Sequence, residues 1–173
     1  MELIRQSTMC CTGHRRIAAE RQAVIRDQTD RYMRSLITRG FDTILVGGAL
    51  GFDTLAQLAA LRLREEFPYL RVVMAIPCEG QDARWSERER EIYALLRRRA
   101  DSEIVLAPRY TDGCMLARNR FMVDHSSACI ACYDGRQWGG TFYTVRYAEK
   151  QGVPVFNVRG WPVSGRGCRA PLP

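Results

Sequence analysis

Short apolar segments alternate with longer amphipathic segments along almost the whole chain. The short segments are rich in the residues that form buried β-strands, and the longer ones carry apolar residues at helical spacing. Strands that alternate with helices form a parallel sheet, because the crossover helices cover both of its faces. The sequence therefore predicts an α/β fold, a doubly wound and mainly parallel sheet of about six strands with helices on both faces.

Apolar periodicity also sets the expected limits of these elements. Strands are predicted at 8–12, 43–46, 71–76, 103–106, 127–133 and 153–158, and helices at 19–39, 53–66, 86–99, 114–125 and 141–151. Ser86 and Glu89 form a capping box that begins the third helix. Val24 in the first helix, and Ile92 and Leu95 in the third, are among the residues expected to face the core. One domain is expected over 1–158, followed by an irregular tail at 159–173.

Glycines follow three of the predicted strands and precede helices. They are Gly13, then Gly47, Gly48 and Gly51, then Gly139 and Gly140. Glycine lets the backbone approach a ligand, and the helix behind it directs unpaired N–H groups at the same point. Right-handed crossovers bring all strand-to-helix turns to one edge of the sheet. The sequence therefore predicts that these turns meet in a phosphate-binding cleft at that edge.

Polar side chains near these turns are candidates for binding such a ligand. Arg118 is the preferred phosphate clamp and Arg15 the second candidate. His14 could donate to phosphate or act as a general acid, although a lone histidine is often structural. Asp53 either caps the second helix or binds a ribose hydroxyl. Thr141 could cap the last helix, bind phosphate, or do both.

Other residues have weaker assignments. Glu79, in the loop after the third strand, is a weak catalytic candidate if the protein is a hydrolase. Arg120 is a further candidate for the phosphate clamp, and its alternative is a contact with solvent or Asp124. Trp85 and Trp138 are loop aromatics that could stack on a base.

The composition limits the function classes. The formal charge of +7 suits nucleic acid or phosphorylated ligands. No apolar run approaches the roughly 20 residues of a membrane span, and the N-terminus has no signal-peptide core, so a cytoplasmic protein is expected. Cys129 and Cys132 lie three apart on a predicted strand and therefore face opposite sides of the sheet. The cysteines are interpreted as reduced core residues, and no metal site is expected.

Six segments resemble the SLOG superfamily of Rossmann-like proteins, most closely its YpsA-type branch. They are Cys11–Arg15, Gly47–Asp53, Ile76–Gln81, Gly113–Arg120, Met122–Ser126 and Tyr133–Thr141, in the same order as in the superfamily. The resemblance implies a Rossmann-like fold that binds a nucleotide or a nucleotide-derived ligand, such as ADP-ribose or an NAD-like molecule. It implies a sensing or regulatory role, no required cofactor, and a homodimer by analogy.

Two related groups imply alternative functions. The LOG phosphoribohydrolases cleave nucleoside monophosphates, and their helix motif is similar to Met115–Asn119. Their acidic pair is absent, since Tyr143 and Thr144 stand at that position. DNA-processing protein A binds single-stranded DNA, and its glycine turn resembles Gly47–Asp53. A nucleotide N-glycosidase and a single-stranded nucleic-acid binder are therefore the two alternatives to a nucleotide sensor.

Overall fold

The fold is one six-stranded parallel sheet with helices on both faces, seen in a computed structural model that describes residues 2–158. The strands are β1 (Thr8–Gly13), β2 (Thr43–Val46), β3 (Arg71–Ile76), β4 (Ser102–Val105), β5 (Ala128–Cys132) and β6 (Val155–Asn157). The helices are α1 (Ala19–Ile37), α2 (Phe52–Glu66), α3 (Glu87–Arg99), α4 (Cys114–Asp124) and α5 (Gly140–Lys150). The expected tail at 159–173 lies outside the described residues.

The strands lie in the order β4-β3-β2-β1-β5-β6, and all five neighbouring pairs are parallel. The chain first builds the sheet outward from β1 to β4 and then crosses back to place β5 on the other side of β1. The order of strands therefore reverses between β1 and β5, where doubly wound sheets open a crevice at the carboxyl ends. The predicted Rossmann-like fold is confirmed.

Apolar side chains form one core on each face of the sheet. One core contains α1, α2 and α3, with Phe52 and Met33 among its buried residues. The other contains α4 and α5, with Met122 and Val145. The central strands β1, β2, β3 and β5 contact both cores, which explains why they appear as continuous apolar runs. The six cysteines that the structure describes are free and buried, and four of them lie on β1 and β5, which are buried on both faces.

The expected opposite orientation of Cys129 and Cys132 is confirmed, because each packs into a different core. Within the described residues, no group of three or more His, Cys, Asp and Glu side chains is arranged to hold a metal ion. None of the helices in 2–158 is both long and apolar enough to span a bilayer.

Three expected core positions are wrong. Val24, Ile92 and Leu95 are 49%, 39% and 46% exposed. An α-helix turns about 100° per residue, so a side chain one position away from the buried stripe points out of it. In α3 the stripe is carried by Tyr93 and Leu96. The capping box at the start of α3 is confirmed, since the Glu89 N–H donates to Ser86 Oγ at 3.3 Å and the Ser86 N–H donates to Glu89 at 2.8 Å.

Candidate functional site

A cleft of about 480 Å³ opens at the carboxyl ends of β1 and β5, where the strand order reverses. We call it the switch-point cleft. Its walls come from the end of β1, the turn between β2 and α2, the loop after β5 and the beginnings of α4 and α5. It is lined by Cys11, Thr12, Gly13, His14, Arg15, Ala49, Asp53, Met115, Leu116, Arg118, Asn119, Met122, Arg136, Trp138, Gly139, Gly140 and Thr141. Its position is the one that the fold favours for ligands.

The three glycine turns do converge at this edge, but they do not all face one cleft. Gly13, Gly139 and Gly140 line the switch-point cleft. Gly48 and Gly51 instead line a neighbouring cleft of about 390 Å³, which we call the side cleft. The side cleft is lined by Arg15, Arg16, Ile17, Gln22, Gly48, Leu50, Gly51, Thr54, Leu55, Trp85, Glu89, Ile92, Tyr93 and Leu96. Arg15 lines both.

At Gly13 and Gly47, a Cβ would overlap side chains of the protein itself. A Cβ at Gly13 would lie 2.5 Å from the Cβ of Phe52. A Cβ at Gly47 would overlap the guanidinium of Arg118 and lie 2.7 Å from Asp53 Oδ2. Gly47 therefore lets two buried charged side chains approach the end of β2.

The glycines after β5 are in open space. A Cβ at Gly139 would meet no atom within 4 Å, and at Gly140 the nearest atom would be Asn119 Nδ2 at 3.8 Å. Gly139 has φ +91° and precedes the first residue of α5, which has no side-chain cap. The first N–H groups of a helix lack partners within it and carry the positive end of its dipole. An uncapped helix N-terminus therefore faces the cleft at a place with room for a ligand.

Arg118 and Asp53 are buried charges next to Gly47, only 5% and 6% exposed. Arg118 Nη1 donates to the carbonyl oxygen of Gly47 and, at 3.5 Å, to that of Ala75. Asp53 Oδ2 accepts the Ala49 N–H at 3.2 Å. The pair thus fastens the β2–α2 turn to α4 and β3 from within.

The pKa values of this pair shift as burial dictates. Burial raises the pKa of Asp53, while the nearby Arg118 opposes the rise. Burial lowers the pKa of Arg118, while Asp53 opposes that fall. Each charge therefore compensates part of the desolvation cost of the other.

His14 and Arg136 line the cleft and form a second polar group together with Asp134. The Asp134 N–H donates to His14 Nε2 at 3.2 Å, and that nitrogen lies 3.0 Å from Asp134 Oδ1. Burial is the largest influence on the pKa of His14 and lowers it, with Asp134 opposing. Burial acts to raise the pKa of Asp134, but hydrogen bonds from Arg136 prevail and bring it to about 2. At neutral pH the histidine is thus uncharged, and Arg136 is the cation of the group.

Aromatic and apolar side chains complete the opening of the cleft. Trp138 is 68% exposed, and the guanidinium carbon of Arg136 lies 5.0 Å from its ring centroid. Met115 and Leu116 line the wall formed by α4. In the side cleft, the rings of Trp85 and Tyr93 meet edge to face with centroids 5.2 Å apart. The two tryptophans noted in the sequence therefore belong to different clefts.

Several expected positions differ in the structure. Asp53 does not cap α2, because Gly51 occupies the N-cap and Asp53 is the second helical residue. Thr141 is likewise inside α5, buried, and lines the cleft. Glu79 is exposed and lines neither of the two clefts described above. Arg120 lines neither cleft and is exposed, which agrees with the expected contact with solvent, while Asp124 accepts a hydrogen bond from the Tyr147 hydroxyl at 2.9 Å.

Sequence reasoning missed Asn119 and Arg136, which line the switch-point cleft, and Asp134, which pairs with Arg136. Asp134 and Arg136 follow β5 directly, so their place at the carboxyl edge was a usable signal. Asn119 lies in the expected α4 motif, where its Oδ1 accepts from Arg118 Nε at 2.9 Å. The side cleft had no local signal, because it is formed by packing between distant segments.

A family model described as the YspA SLOG family matches residues 12–155. A UPF0398 protein of Bacillus velezensis is 32% identical over 140 residues, 78% of this chain and 77% of that protein.

Solved structures of two DNA-processing proteins are similar as well. The chain is 25% identical to DNA processing protein A of Helicobacter pylori, which binds single-stranded DNA, with a TM-score of 0.59 over 87% of this chain. The Streptococcus pneumoniae protein gives 19% identity and a TM-score of 0.63 over 90% of the chain. The chain spans only 64% and 51% of these two chains, respectively.

Proposed function

This chain belongs to the YspA SLOG family, and we propose that its switch-point cleft binds a nucleotide or nucleotide-derived ligand in a sensing or regulatory role. The observation that carries the proposal is the uncapped N-terminus of α5, which opens at Gly139 and Gly140 into the cleft. Unpaired N–H groups with open space before them bind a phosphate group well, because the helix dipole favours negative charge there.

Positive side chains support the same position for the phosphate. Arg15, Arg118 and Arg136 line the cleft beside the start of α5. The two nearby carboxylates, those of Asp53 and Asp134, repel a bound anion less strongly than two unpaired charges would. Asp53 accepts a backbone N–H, and Asp134 is paired with Arg136. The cleft thus offers a net attraction for a phosphate group.

The nucleoside has a suitable place next to this phosphate site. The exposed face of Trp138, with Met115 and Leu116 across the opening, offers stacking and apolar contact to a base. A cleft of about 480 Å³ lies within the range of ligand pockets, about 300–1,000 Å³.

The residues at the position of the acidic pair of LOG phosphoribohydrolases favour a binding role over N-glycosidic cleavage. Tyr143 and Thr144 stand there, and the Thr144 hydroxyl donates to the Gly140 carbonyl at 2.8 Å. Cleavage through a cationic sugar uses a carboxylate beside the sugar, and the carboxylates at this cleft are already engaged, Asp53 with the Ala49 N–H and Asp134 with Arg136. Release of free base from AMP by the purified protein would support the N-glycosidase instead.

Replacement of Gly140 by aspartate tests the phosphate position. A carboxylate in the first turn of α5 favours the helix dipole, so the fold should be retained. The same charge repels a bound phosphate, and the affinity for AMP or ADP-ribose should fall at least tenfold, roughly 1.4 kcal/mol or more, in a calorimetric titration. Gly140→Asn, of nearly equal size, is the control and should bind more tightly than the aspartate variant. Equal affinity of the two variants would contradict a phosphate at this helix.

Single-stranded nucleic acid is a second candidate ligand. The similarity to the H. pylori protein favours it, together with the exposed Trp138 beside Arg136 at the cleft. A thermal-shift series separates the two candidates. Stabilisation by an oligonucleotide but not by AMP or ADP-ribose, lost steeply as salt is raised, would favour nucleic acid.

A further inference from the structure

We propose that the side cleft is a second subsite, which receives the second ring of a dinucleotide-type ligand. In this arrangement the two nucleosides are joined through their 5′-phosphates, and the linkage crosses from one cleft to the other at Arg15. The inference rests on the proposed function, since the first nucleotide occupies the switch-point cleft.

Arg15 is the structural link between the two clefts. It is exposed and lines both of them. Its charge acts on Asp53 and Arg118 in the switch-point cleft, lowering the pKa of each. The backbone carbonyls of His14 and Arg15 pack against Gly51, so this segment forms the ridge between the clefts. Arg16 is also exposed and lines the side cleft next to the ridge. Two adjacent cations suit the two charges of a diphosphate.

The side cleft itself is suited to an uncharged ring. Most of its wall is apolar or aromatic, formed by Ile17, Leu50, Leu55, Trp85, Ile92, Tyr93 and Leu96. Trp85 is only partly buried, and Ile92 is 39% exposed. Glu89 adds a negative charge to the wall, and its Oε2 accepts from Ser86 Oγ at 2.8 Å. The carboxylate of Glu89 repels phosphate inside the side cleft. The diphosphate of the ligand is therefore expected on the ridge, next to Arg15 and Arg16.

The two clefts are therefore suited to different parts of one ligand. The switch-point cleft has the helix N-terminus and the exposed Trp138, which suit a phosphate and one base. The side cleft, about 390 Å³, has room for a second base or other heterocycle with its ribose. A mononucleotide would fill only the first cleft. The geometry points to dinucleotides, rather than mononucleotides, as the ligand class.

Titration of the protein with AMP and with diadenosine 5′,5′-diphosphate tests the second subsite. The dinucleotide should bind at least tenfold more tightly than AMP, because its second nucleoside adds contacts without a second loss of translational freedom. Ile92→Asp places a charge in the apolar wall and should weaken the dinucleotide about tenfold or more while changing AMP binding less than about twofold. Leu95→Asp is the matched control, on the same helix, similarly exposed and outside the cleft wall, and should bind both ligands as the unchanged protein does.

The outcomes distinguish this inference from the proposed function. Binding of AMP with no gain for the dinucleotide, or a dinucleotide affinity unaffected by Ile92→Asp, would overturn the second subsite and leave the first intact. Binding of neither ligand would overturn both. If Ile92→Asp does not fold, the backbone amide NMR signals of the unchanged protein provide the test of the second subsite. The signals of Glu89 and Ile92 should shift with the dinucleotide and not with AMP, and the absence of that difference would contradict the second subsite.

Discussion

Replacement of Arg118 by alanine is expected to lower the free energy of unfolding by about 3–5 kcal/mol. The substitution leaves the carboxylate of Asp53 buried without its compensating charge. It also removes the hydrogen-bond donor to two backbone carbonyl oxygens, that of Gly47 in the turn after β2 and that of Ala75 in β3. Urea denaturation followed by circular dichroism gives the value directly.

The pH dependence of this loss identifies its cause. Burial already raises the pKa of Asp53 in the folded protein, and removal of Arg118 raises it further. A folded-state pKa above the unfolded value of 3.8 means that the folded protein binds the proton more tightly, so stability falls as the pH rises through that range. The deficit of Arg118→Ala should therefore shrink as the pH is lowered toward the pKa of Asp53.

Neutralising Asp53 supplies the control. Adding Asp53→Asn to Arg118→Ala should recover part of the lost stability, since the uncompensated charge is gone. A deficit that is the same at every pH and unchanged in the double variant would show that the pair does not compensate across Gly47. Because Arg118 holds the cleft walls as well as lining the cleft, ligand affinity of its variants is informative only when their fold has been verified.

Replacement of Gly51 by alanine should cost at least about 3 kcal/mol of folding stability. Gly51 has φ +78° and ψ −115°, a backbone conformation outside the left-handed helical region that costs an alanine on the order of 1–3 kcal/mol. Its Cβ would also overlap the backbone carbonyl of Arg15, and a backbone group can yield only if the ridge between the clefts moves. The change therefore adds displacement of the 14–15 segment to local strain.

Gly40→Ala is the matched control for that substitution. Gly40 has φ +94°, and its Cβ would meet nothing within 4 Å, so only the conformational cost of about 1–2 kcal/mol is expected. Thermal and urea unfolding of the two variants measure the difference. An equal loss of folding stability in the two variants would mean that the 14–15 segment moves easily away from residue 51, so that the boundary between the clefts is not rigid.

The fold could be predicted from the sequence because its signals are local and repeated. The central strands are buried on both faces and therefore appear as unbroken apolar runs, as in Val72–Ile76, whereas the edge strand β4 has no fully buried residue. The errors at Val24 and Leu95 have a simple origin. An apolar residue at the border of a helical stripe is not separated by periodicity from one inside it.

The candidate site was predictable only in part. The meeting of the turns follows from the handedness of the crossovers. Which turn is open to a ligand depends on contacts between distant residues, and the sequence does not show that Phe52 fills the space beside Gly13. The same holds for Arg118 and Asp53, which are far apart in sequence and meet at Gly47 only in the folded chain.

Backbone amide NMR of the isotope-labelled protein during titration with AMP tests most directly whether the cleft at the strand reversal binds a phosphate-bearing ligand. The account predicts saturable shifts that are largest at Gly139, Gly140 and Thr141, where the first N–H groups of α5 meet the phosphate. The absence of saturable shifts, or shifts confined to residues remote from both clefts, such as Arg98 and Arg99 at the end of α3, would contradict it.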